Sequence, residues 1–430
     1  MEAAVQTLTV SNPSFYRATS LGQHWTEKYI SFFKGAMFPT GLLPLMRRRL
    51  AKKGIETQII NTSLKPIPVR RLPFTDMFPG ISLHKEQIRV INALLEYPEG
   101  RGYLKAHPGF GKTEIIFALY QCFRPCLALF IVTRAGLREE AFSRCIQRLG
   151  ETPYILGKSK GPIPTTGLVV TTYHTLYNKM FGRRKTKKAA SIQRDLDVSK
   201  MAMKVQLLLA DELGRAAGKS YAACLEKIYA DRRYGFSATP FRKGNAVRNM
   251  AVRAWIGEQI CQVSLRKQVS KGRVPQCHVF TRTIGHGDPV DLPEMLGYHA
   301  AFKVAYMQYK PFLSQVIRDV LWFYKQDMPC FVLVDLKKTG QEFHRLLSHF
   351  IPKDQICFLT GDMKPRDRIP FLEAFKKESI KVLIATPVLG EGENLPNVAG
   401  LILAGTGRSP EVLYQKIGRG LRIKTDRPNT

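Results

Sequence analysis

The sequence predicts an α/β protein with two tandem domains, each a parallel sheet flanked by helices, behind a small α+β N-terminal domain. Apolar segments of strand length alternate with segments of helix length twice along the chain, as parallel sheets require. These apolar segments are nearly continuous, which indicates strands covered by helices on both faces. The 430 residues, of which 44% are hydrophobic, suffice for two or three domains with sizeable cores.

The charge balance predicts a polyanionic partner. The formal net charge is +32, and such an excess destabilises a compact fold through self-repulsion unless a nucleic acid or an anionic membrane offsets it. No apolar run approaches the roughly 18 residues of a membrane span, and no secretory signal is evident. The 8 cysteines form no CxxC pair and suit reduced thiols. We therefore expect a cytoplasmic protein that binds nucleic acid.

Residues 1–78 are predicted to form the small N-terminal domain. Its helix is amphipathic, with apolar side chains on one face and Arg47, Arg48 and Arg49 largely on the other. A half-buried strand is predicted over 55–59, where apolar and polar residues alternate. The basic face fits either an accessory nucleic-acid-binding surface or an ordinary solvated helix face.

Residues 79–260 are predicted to form the first parallel-sheet domain. Its strand candidates are the segments 103–105, 127–133, 168–173, 206–210 and 234–237. The segment 179–200 is rich in Lys and Arg and lacks apolar periodicity. It fits either a flexible surface loop or an insert that touches DNA.

Residues 261–300 are predicted to be a linker region, and residues 301–430 to form the second parallel-sheet domain. Strand candidates of the second domain are the segments 331–335, 356–360, 381–386 and 401–404. This domain carries no second phosphate-binding loop, so it must contribute something other than a second nucleotide site of the same kind.

The segment Ala106–Thr113 lies between a predicted strand and a predicted helix. Backbone N–H groups of such a glycine-bearing loop and of the helix N-terminus cradle phosphate. Gly109 and Gly111 permit a close backbone approach that a Cβ would block. Lys112 supplies a positive charge for the β- and γ-phosphates, and the Thr113 hydroxyl can ligate Mg²⁺. The segment therefore predicts a nucleoside-triphosphate site.

Asp211 and Glu212 follow a predicted apolar strand. Ligands of an open parallel sheet bind at the carboxyl ends of its strands. Asp211 is therefore placed to hold Mg²⁺, usually through water, and Glu212 to polarise the attacking water. An Asp-Glu pair is common after strands, but it is a strong signal about a hundred residues beyond a phosphate loop in one domain.

Two further pairs of residues are candidates for linking the domains. The hydroxyls of Ser237 and Thr239 follow the next strand, although they also fit an ordinary turn before proline. Arg419 and Arg422 lie three apart, on one face of a predicted helix. They fit either arginines that stabilise the transferring γ-phosphoryl group or a basic surface helix. On the first interpretation, domain closure couples hydrolysis to motion.

Together these segments resemble the motifs of superfamily 2 helicases, in the correct order over residues 80–425. The matching segments are 83–87 for motif Q, 106–113 for motif I, 133–137 for Ia, 171–174 for Ic, 211–214 for II, 237–239 for III, 385–396 for V and 415–422 for VI. A narrower resemblance, to UvsW-type phage recombination helicases and their restriction-motor and XPB-like relatives, is carried by segments 38–44, 237–242 and 404–409.

The resemblance implies two RecA-like domains that use ATP and Mg²⁺, with Gln87 at the adenine edge. The residues that it implies as further nucleotide contacts are Phe110, Gly392 and Gln415. The residues that it implies as contacts to the backbone of a nucleic-acid strand are Thr133, Arg134, Thr172, Tyr173 and Thr386. Such contacts go to phosphates, so we expect binding that is largely independent of sequence and that falls steeply with salt.

The chain departs from the helicase pattern at two places. Gly214 stands where relatives usually have His, which removes one hydrogen-bond link between ATP and motif III. The closing strand that relatives place after motif VI is not evident beyond Arg422, as expected of a shortened C-terminus.

We therefore predict a monomeric ATP-dependent DNA helicase of superfamily 2, located in the host cytoplasm if it is phage-encoded. The basic N-terminal domain favours branched DNA, such as forks, D-loops and Holliday junctions, in recombination and replication. One alternative is a motor that translocates on duplex DNA without separating its strands. Another is an RNA-remodelling or nucleic-acid-binding protein with weak ATPase activity, since backbone contacts discriminate weakly between DNA and RNA.

Overall fold

The protein forms two compact units, Met1–Ser264 and Leu265–Thr430. The computed structural model describes residues 2–12, 27–60, 67–74, 77–182, 189–215, 218–241, 244–272, 276, 278–284, 309–386 and 398–405, with the backbone alone over 189–195. Within these residues, no helix is both long and apolar enough to cross a membrane.

The first unit contains a seven-stranded sheet in the order β5-β6-β4-β7-β8-β3-β9, and every pairing in it is parallel. Its strands are β3 (Arg101–Lys105), β4 (Leu127–Val132), β5 (Tyr154–Ile155), β6 (Gly167–Thr172), β7 (Leu207–Asp211), β8 (Arg232–Ser237) and β9 (Glu258–Gln262). All five predicted strands are confirmed. The two edge strands, β5 and β9, were not predicted, because β5 is very short and β9 is largely polar.

Helices cover both faces of this sheet, as the nearly continuous apolar strands predict. They are α3 (Lys85–Glu96), α4 (Lys112–Phe123), α5 (Ala135–Leu149), α6 (Tyr173–Phe181), α7 (Ala189–Lys204), α8 (Lys219–Glu226) and α9 (Ala246–Ile256). Successive residues of β4 alternate between two buried cores. Leu127, Leu129 and Ile131 lie in one core, and Ala128, Phe130 and Val132 lie in the other.

The N-terminal residues belong to the first unit and pack against its helix α9. Helix α1 (Glu2–Thr7) leads into β1 (Thr9–Ser11), which pairs antiparallel with β2 (Tyr29–Ser31), and helix α2 (Leu43–Ala51) follows. Apolar residues of α2 share a buried cluster with Met250 and Ala254 of α9. Gly41 lies so close to α9 that a Cβ built on it would be 2.2 Å from the carbonyl oxygen of Arg253.

One sequence-based prediction of local structure is wrong, and the loop alternative for segment 179–200 is wrong for its C-terminal half. Residues 55–59 form no strand, and Ile55 and Ile59 are exposed, because no strand among the described residues offers them backbone partners. The basic segment 179–200 is not a loop throughout, because its C-terminal half belongs to α7. Helix α7 buries Val198, Met201 and Ala202, an apolar pattern that straddles the end of the basic run.

The second unit contains a four-stranded parallel sheet in the order β11-β12-β10-β13 among its described residues. Its strands are β10 (Cys330–Val334), β11 (Ile356–Leu359), β12 (Val382–Ala385) and β13 (Gly400–Ala404), and its helices are α10 (Leu265–Ser270), α11 (Lys310–Lys325), α12 (Lys337–Leu347) and α13 (Pro365–Lys376). Residues of β10 again alternate between two cores. The prediction of two tandem α/β domains with parallel sheets is therefore confirmed.

Candidate functional site

The glycine-bearing loop lies between the end of β3 at Lys105 and the start of α4 at Lys112. Gly109 and Gly111 have φ angles of 83° and 81°, in the left-handed region that favours glycine. Gly111 precedes the helix without a side-chain hydrogen bond to its first N–H groups, so these groups remain suited to an anion. The Lys112 ammonium donates to the carbonyl oxygens of Ala106 and His107 at 3.4 and 3.2 Å, and therefore spans the loop.

Gln87 supports this loop from α3. Its side chain is buried, and Nε2 donates to the carbonyl oxygen of Phe110 at 3.0 Å. Gln87 and His84 also cap α3 reciprocally, through hydrogen bonds of 3.0 and 3.2 Å. The Phe110 ring is buried edge-on against the rings of His84 and His107. The side chains of Gln87 and Phe110 thus shape the loop, and their predicted contacts with a nucleotide stay predictions.

A small cavity of about 20 Å³ lies between the first turn of α4 and the acidic end of β7. Thr113 from α4 and Asp211 from β7 both line it, together with Glu140 of α5. Desolvation by the surrounding protein raises the pKa of Asp211 to about 6; the charge of Glu212 adds to this rise and Lys112 opposes it. A hydroxyl and a carboxylate that face one small space fit the two protein ligands predicted for Mg²⁺.

Glu212 follows Asp211 in a left-handed backbone conformation, with φ 51°. This conformation is uncommon for a residue other than glycine. Its backbone N–H donates to Asp211 Oδ1 at 2.9 Å. Its carboxylate oxygen Oε2 accepts a hydrogen bond from Thr133 Oγ1 at 2.9 Å. Glu212, which is predicted to polarise water, is therefore hydrogen-bonded to Thr133, which is predicted to contact nucleic acid.

A larger cavity of about 490 Å³ lies at the adjacent ends of β4 and β6. Its lining residues are Thr133, Arg134, Ala135, Arg138, Thr172, His174 and Thr175. Helices α5 and α6 both begin there, so their positive N-terminal ends and two guanidinium groups share one space. The Thr172 hydroxyl accepts from the N–H of Thr175 at 3.2 Å and caps α6. This arrangement fits phosphate groups of a nucleic-acid backbone.

Not every predicted contact faces this cavity. The ring of Tyr173 stacks on Tyr221 at a centroid distance of 5.0 Å, and Tyr173 does not line the cavity. Four lining residues were not predicted as contacts: Ala135, Arg138, His174 and Thr175. Arg138 lies one helical turn after Arg134, a spacing that could have indicated it.

The predicted coupling residues form a turn after β8. The N–H of Thr239 donates to Ser237 Oγ at 3.1 Å, which is the ordinary Ser/Thr turn that the sequence also allowed. The N–H of Ala106 donates to the carbonyl oxygen of Ser237 at 3.0 Å, so this turn is fixed to the start of the phosphate loop.

In the second unit, Thr386 follows β12, is buried, and donates its N–H to the carbonyl oxygen of Leu359 at 3.3 Å. The remaining predicted residues of this unit lie outside the described residues: Gly392, Gln415, Arg419 and Arg422.

The three arginines of α2 are exposed but differ in their contacts. Arg48 donates to both carboxylate oxygens of Glu258 in β9, and Arg49 donates to the carbonyl oxygen of Thr7 at 2.5 Å. Arg47 forms no hydrogen bond or ion pair with any residue that the structure describes, so its charge is the most available of the three to a partner.

Two family descriptions match the chain. Residues 80–242 match "Type III restriction enzyme, res subunit", and residues 313–424 match "Helicase conserved C-terminal domain". Among curated relatives, the DNA 3'-5' translocase XPB2 of Sulfurisphaera tokodaii is 20% identical over 92% of this chain and 94% of its own length. The ATP-dependent DNA helicase RecG of Streptococcus pneumoniae is 30% identical, but over only 20% of this chain and 14% of its own length.

Solved structures share the fold. Dbp5 of S. cerevisiae, bound to RNA and ADP BeF3, aligns with a TM-score of 0.51 at 18% identity over 79% of this chain and 80% of its own. T4 UvsW aligns over 97% of this chain and 82% of its own with a TM-score of 0.44 at 13% identity, a likeness too weak to distinguish one helicase subgroup from another.

Proposed function

The chain belongs to the superfamily 2 helicases and is an ATP-driven nucleic-acid helicase; from this premise we propose that it unwinds and branch-migrates DNA at forks, D-loops and Holliday junctions. The observation that carries the proposal is the placement of the phosphate loop and acidic strand end beside a cationic cavity at neighbouring strand ends.

The residues around the phosphate loop support ATP hydrolysis. The loop N–H groups and Lys112 would hold the β- and γ-phosphates, with Thr113 and Asp211 holding Mg²⁺. When bound, Mg²⁺ supplies positive charge that neutralises the phosphate oxygens. Glu212 would orient the attacking water. From the sequence, we assign Arg419 and Arg422 to charge stabilisation on the γ-phosphoryl group, and Gly392 and Gln415 to nucleotide contacts.

The larger cavity supports binding to a nucleic-acid backbone. Helix N-termini and Arg134 provide positive charge, while Thr133 and Thr172 provide hydroxyls. The guanidinium of Arg138 also lines the cavity, but it is paired with Glu139. These groups recognise phosphates rather than base edges, so affinity should depend little on sequence and fall with salt. The net charge of +32 adds attraction at long range.

The choice of DNA rests on the relatives. The two curated relatives described above are named as a DNA translocase and a DNA helicase. The exposed Arg47 on α2 adds a basic surface in the same unit as the cavity, which could contact a second arm of a branched substrate. A role in recombination or replication, and action as a monomer in the cytoplasm, belong to the same proposal.

A second candidate is a motor that translocates on duplex DNA without separating its strands. The relative matched over nearly the whole chain favours it, because that relative is named a translocase. Remodelling of RNA with weak ATPase activity is a third outcome that the same assays would reveal.

The test measures ATPase activity and strand separation on forks, four-way junctions, linear duplexes and RNA–DNA hybrids, with triplex displacement as the readout for translocation. We expect the highest turnover and strand separation on forks and junctions. Triplex displacement without strand separation would support the translocase instead. Lys112→Ala and Glu212→Gln should each abolish DNA-stimulated ATPase while leaving DNA binding intact. Retained turnover in either variant would refute the assigned chemistry.

A further inference from the structure

Thr133 contacts the acidic residue Glu212 and also lines the larger cavity. It follows β4, which lies beside β7 in the sheet, and its hydroxyl donates to Glu212 Oε2 at 2.9 Å. Only 2% of Thr133 is exposed, so water competes weakly for this bond. A hydrogen bond to a carboxylate in such surroundings is stronger than a neutral or exposed one.

The same residue lines the larger cavity, next to Arg134 and across from Thr172 and Thr175. A phosphate group drawn there by Arg134 and the helix N-termini would lie against Thr133, and a small displacement of the residues that cover Thr133 would bring anionic oxygens beside its hydroxyl. Such oxygens are hydrogen-bond acceptors that compete with the Glu212 carboxylate for one donor.

We propose that Thr133 is a positioning residue, which holds the Glu212 carboxylate away from the attacking water until a nucleic-acid phosphate enters the larger cavity and takes its hydrogen bond. This inference rests on the proposed function, since it assigns the cavity to phosphates and Glu212 to the water. Under this proposal, the Thr133–Glu212 hydrogen bond keeps the rate of ATP hydrolysis low when no nucleic acid is bound.

The backbone around Glu212 suits such a release. The N–H of Glu212 donates to Asp211 Oδ1 at 2.9 Å, which fixes the main chain at this point. Movement of the carboxylate away from Thr133 can then proceed by rotation about side-chain bonds of Glu212. Asp211 and Thr113 line the smaller cavity together, so rotation of the Glu212 side chain alone would not move the predicted Mg²⁺ ligands.

The test is steady-state ATPase of the full chain with and without oligothymidylate. Thr133→Val keeps the shape of the side chain and removes the donor, and Thr133→Ala removes the same donor with less bulk. We expect kcat without DNA to rise about tenfold in both, the scale of one hydrogen bond to a charged group. The KM for ATP should stay unchanged. Stimulation by DNA should shrink by the same factor, because its starting rate is higher.

Thr133→Ser keeps a hydroxyl and should restore the low basal rate. Thr339→Val is the matched control, because Thr339 is equally buried and its hydroxyl has no hydrogen-bond partner among the described residues. It should leave every rate unchanged. Thermal melting of each variant checks that it is folded.

An unchanged basal rate in Thr133→Val and Thr133→Ala overturns the inference. So does an equal fall of kcat with and without DNA, because that result would make Thr133 a support for the active orientation of Glu212. Failure of the proposed function is distinct, since it would appear in the wild-type protein as ATPase that DNA does not stimulate.

Discussion

Gly214 packs directly against Thr239. A Cβ built on Gly214 would lie 2.9 Å from the carbonyl oxygen of Thr239, closer than real Cβ atoms approach a backbone atom. The segments 211–214 and 237–239 therefore meet through close packing of one backbone on the other. The contact lies two residues after Glu212, so strain introduced there would reach the carboxylate to which we assign the attacking water.

We predict that Gly214→Ala costs about 1–3 kcal/mol of unfolding free energy, because the Cβ must displace a backbone carbonyl group. The kcat of the ATPase should fall as well. Urea denaturation and ATPase assays measure the two effects. The matched control is Gly136→Ala, since a Cβ on Gly136 in α5 would meet nothing within 4 Å; its unfolding free energy should stay equal or rise. Equal stabilities for the two variants would refute the packing role.

The sequence predicts the chemical groups of the site better than their contacts. Asp211 ends β7 and Thr133 directly follows β4. Because the carboxyl ends of parallel strands lie at one edge of a sheet, the sequence already predicts both residues at that edge. A hydrogen bond between Thr133 and Glu212 depends on β4 lying beside β7 and on the left-handed turn at Glu212. Neither feature leaves a local pattern, so sequence reasoning assigned Thr133 to nucleic acid alone.

The same limit explains the wrong predictions. Residues 55–59 alternate as a strand should, but β structure needs a partner, and the part of the chain that the structure describes supplies none. Glu258, which pairs with Arg48, lies 210 positions away in the chain. The three arginines of α2 are equivalent in sequence. Only their contacts in the folded protein show that Arg48 and Arg49 have partners and that Arg47 has none among the described residues.

Gln87 is expected to act through the phosphate loop. We predict that Gln87→Met weakens binding of ATP and of GTP by the same factor, several-fold, because the carbonyl oxygen of Phe110 loses its buried donor and the loop loses support. Nucleotide titration measures both affinities, and Gln259→Met, at an exposed position, should change neither. Weaker binding of ATP alone would show instead that Gln87 acts at the adenine edge.

Arg134 is expected to contribute to nucleic-acid affinity through phosphate contact alone. We predict that Arg134→Ala weakens binding to oligonucleotides of different sequence equally and lowers the slope of log affinity against log salt by about 1. Fluorescence anisotropy across a salt series measures this slope. Arg318→Ala removes the same charge from an exposed position on α11 and should leave the slope unchanged. A slope lowered equally by both variants would assign the effect to net charge.

Arg47 and Arg48 are neighbours on α2 that should give opposite results. Arg48→Ala leaves the largely buried carboxylate of Glu258 without this partner, so we predict a loss of about 1 kcal/mol of unfolding free energy and little change in affinity for forked DNA. Arg47→Ala removes a charge that pairs with no described residue, so stability should hold while affinity for forked DNA falls and the salt slope drops by about 1. Urea denaturation and anisotropy on one fork, measured on both variants, separate the two roles. If Arg47→Ala binds the fork as tightly as the wild type does, the basic face of α2 is a solvated surface, and the preference for branched DNA must arise elsewhere in the chain.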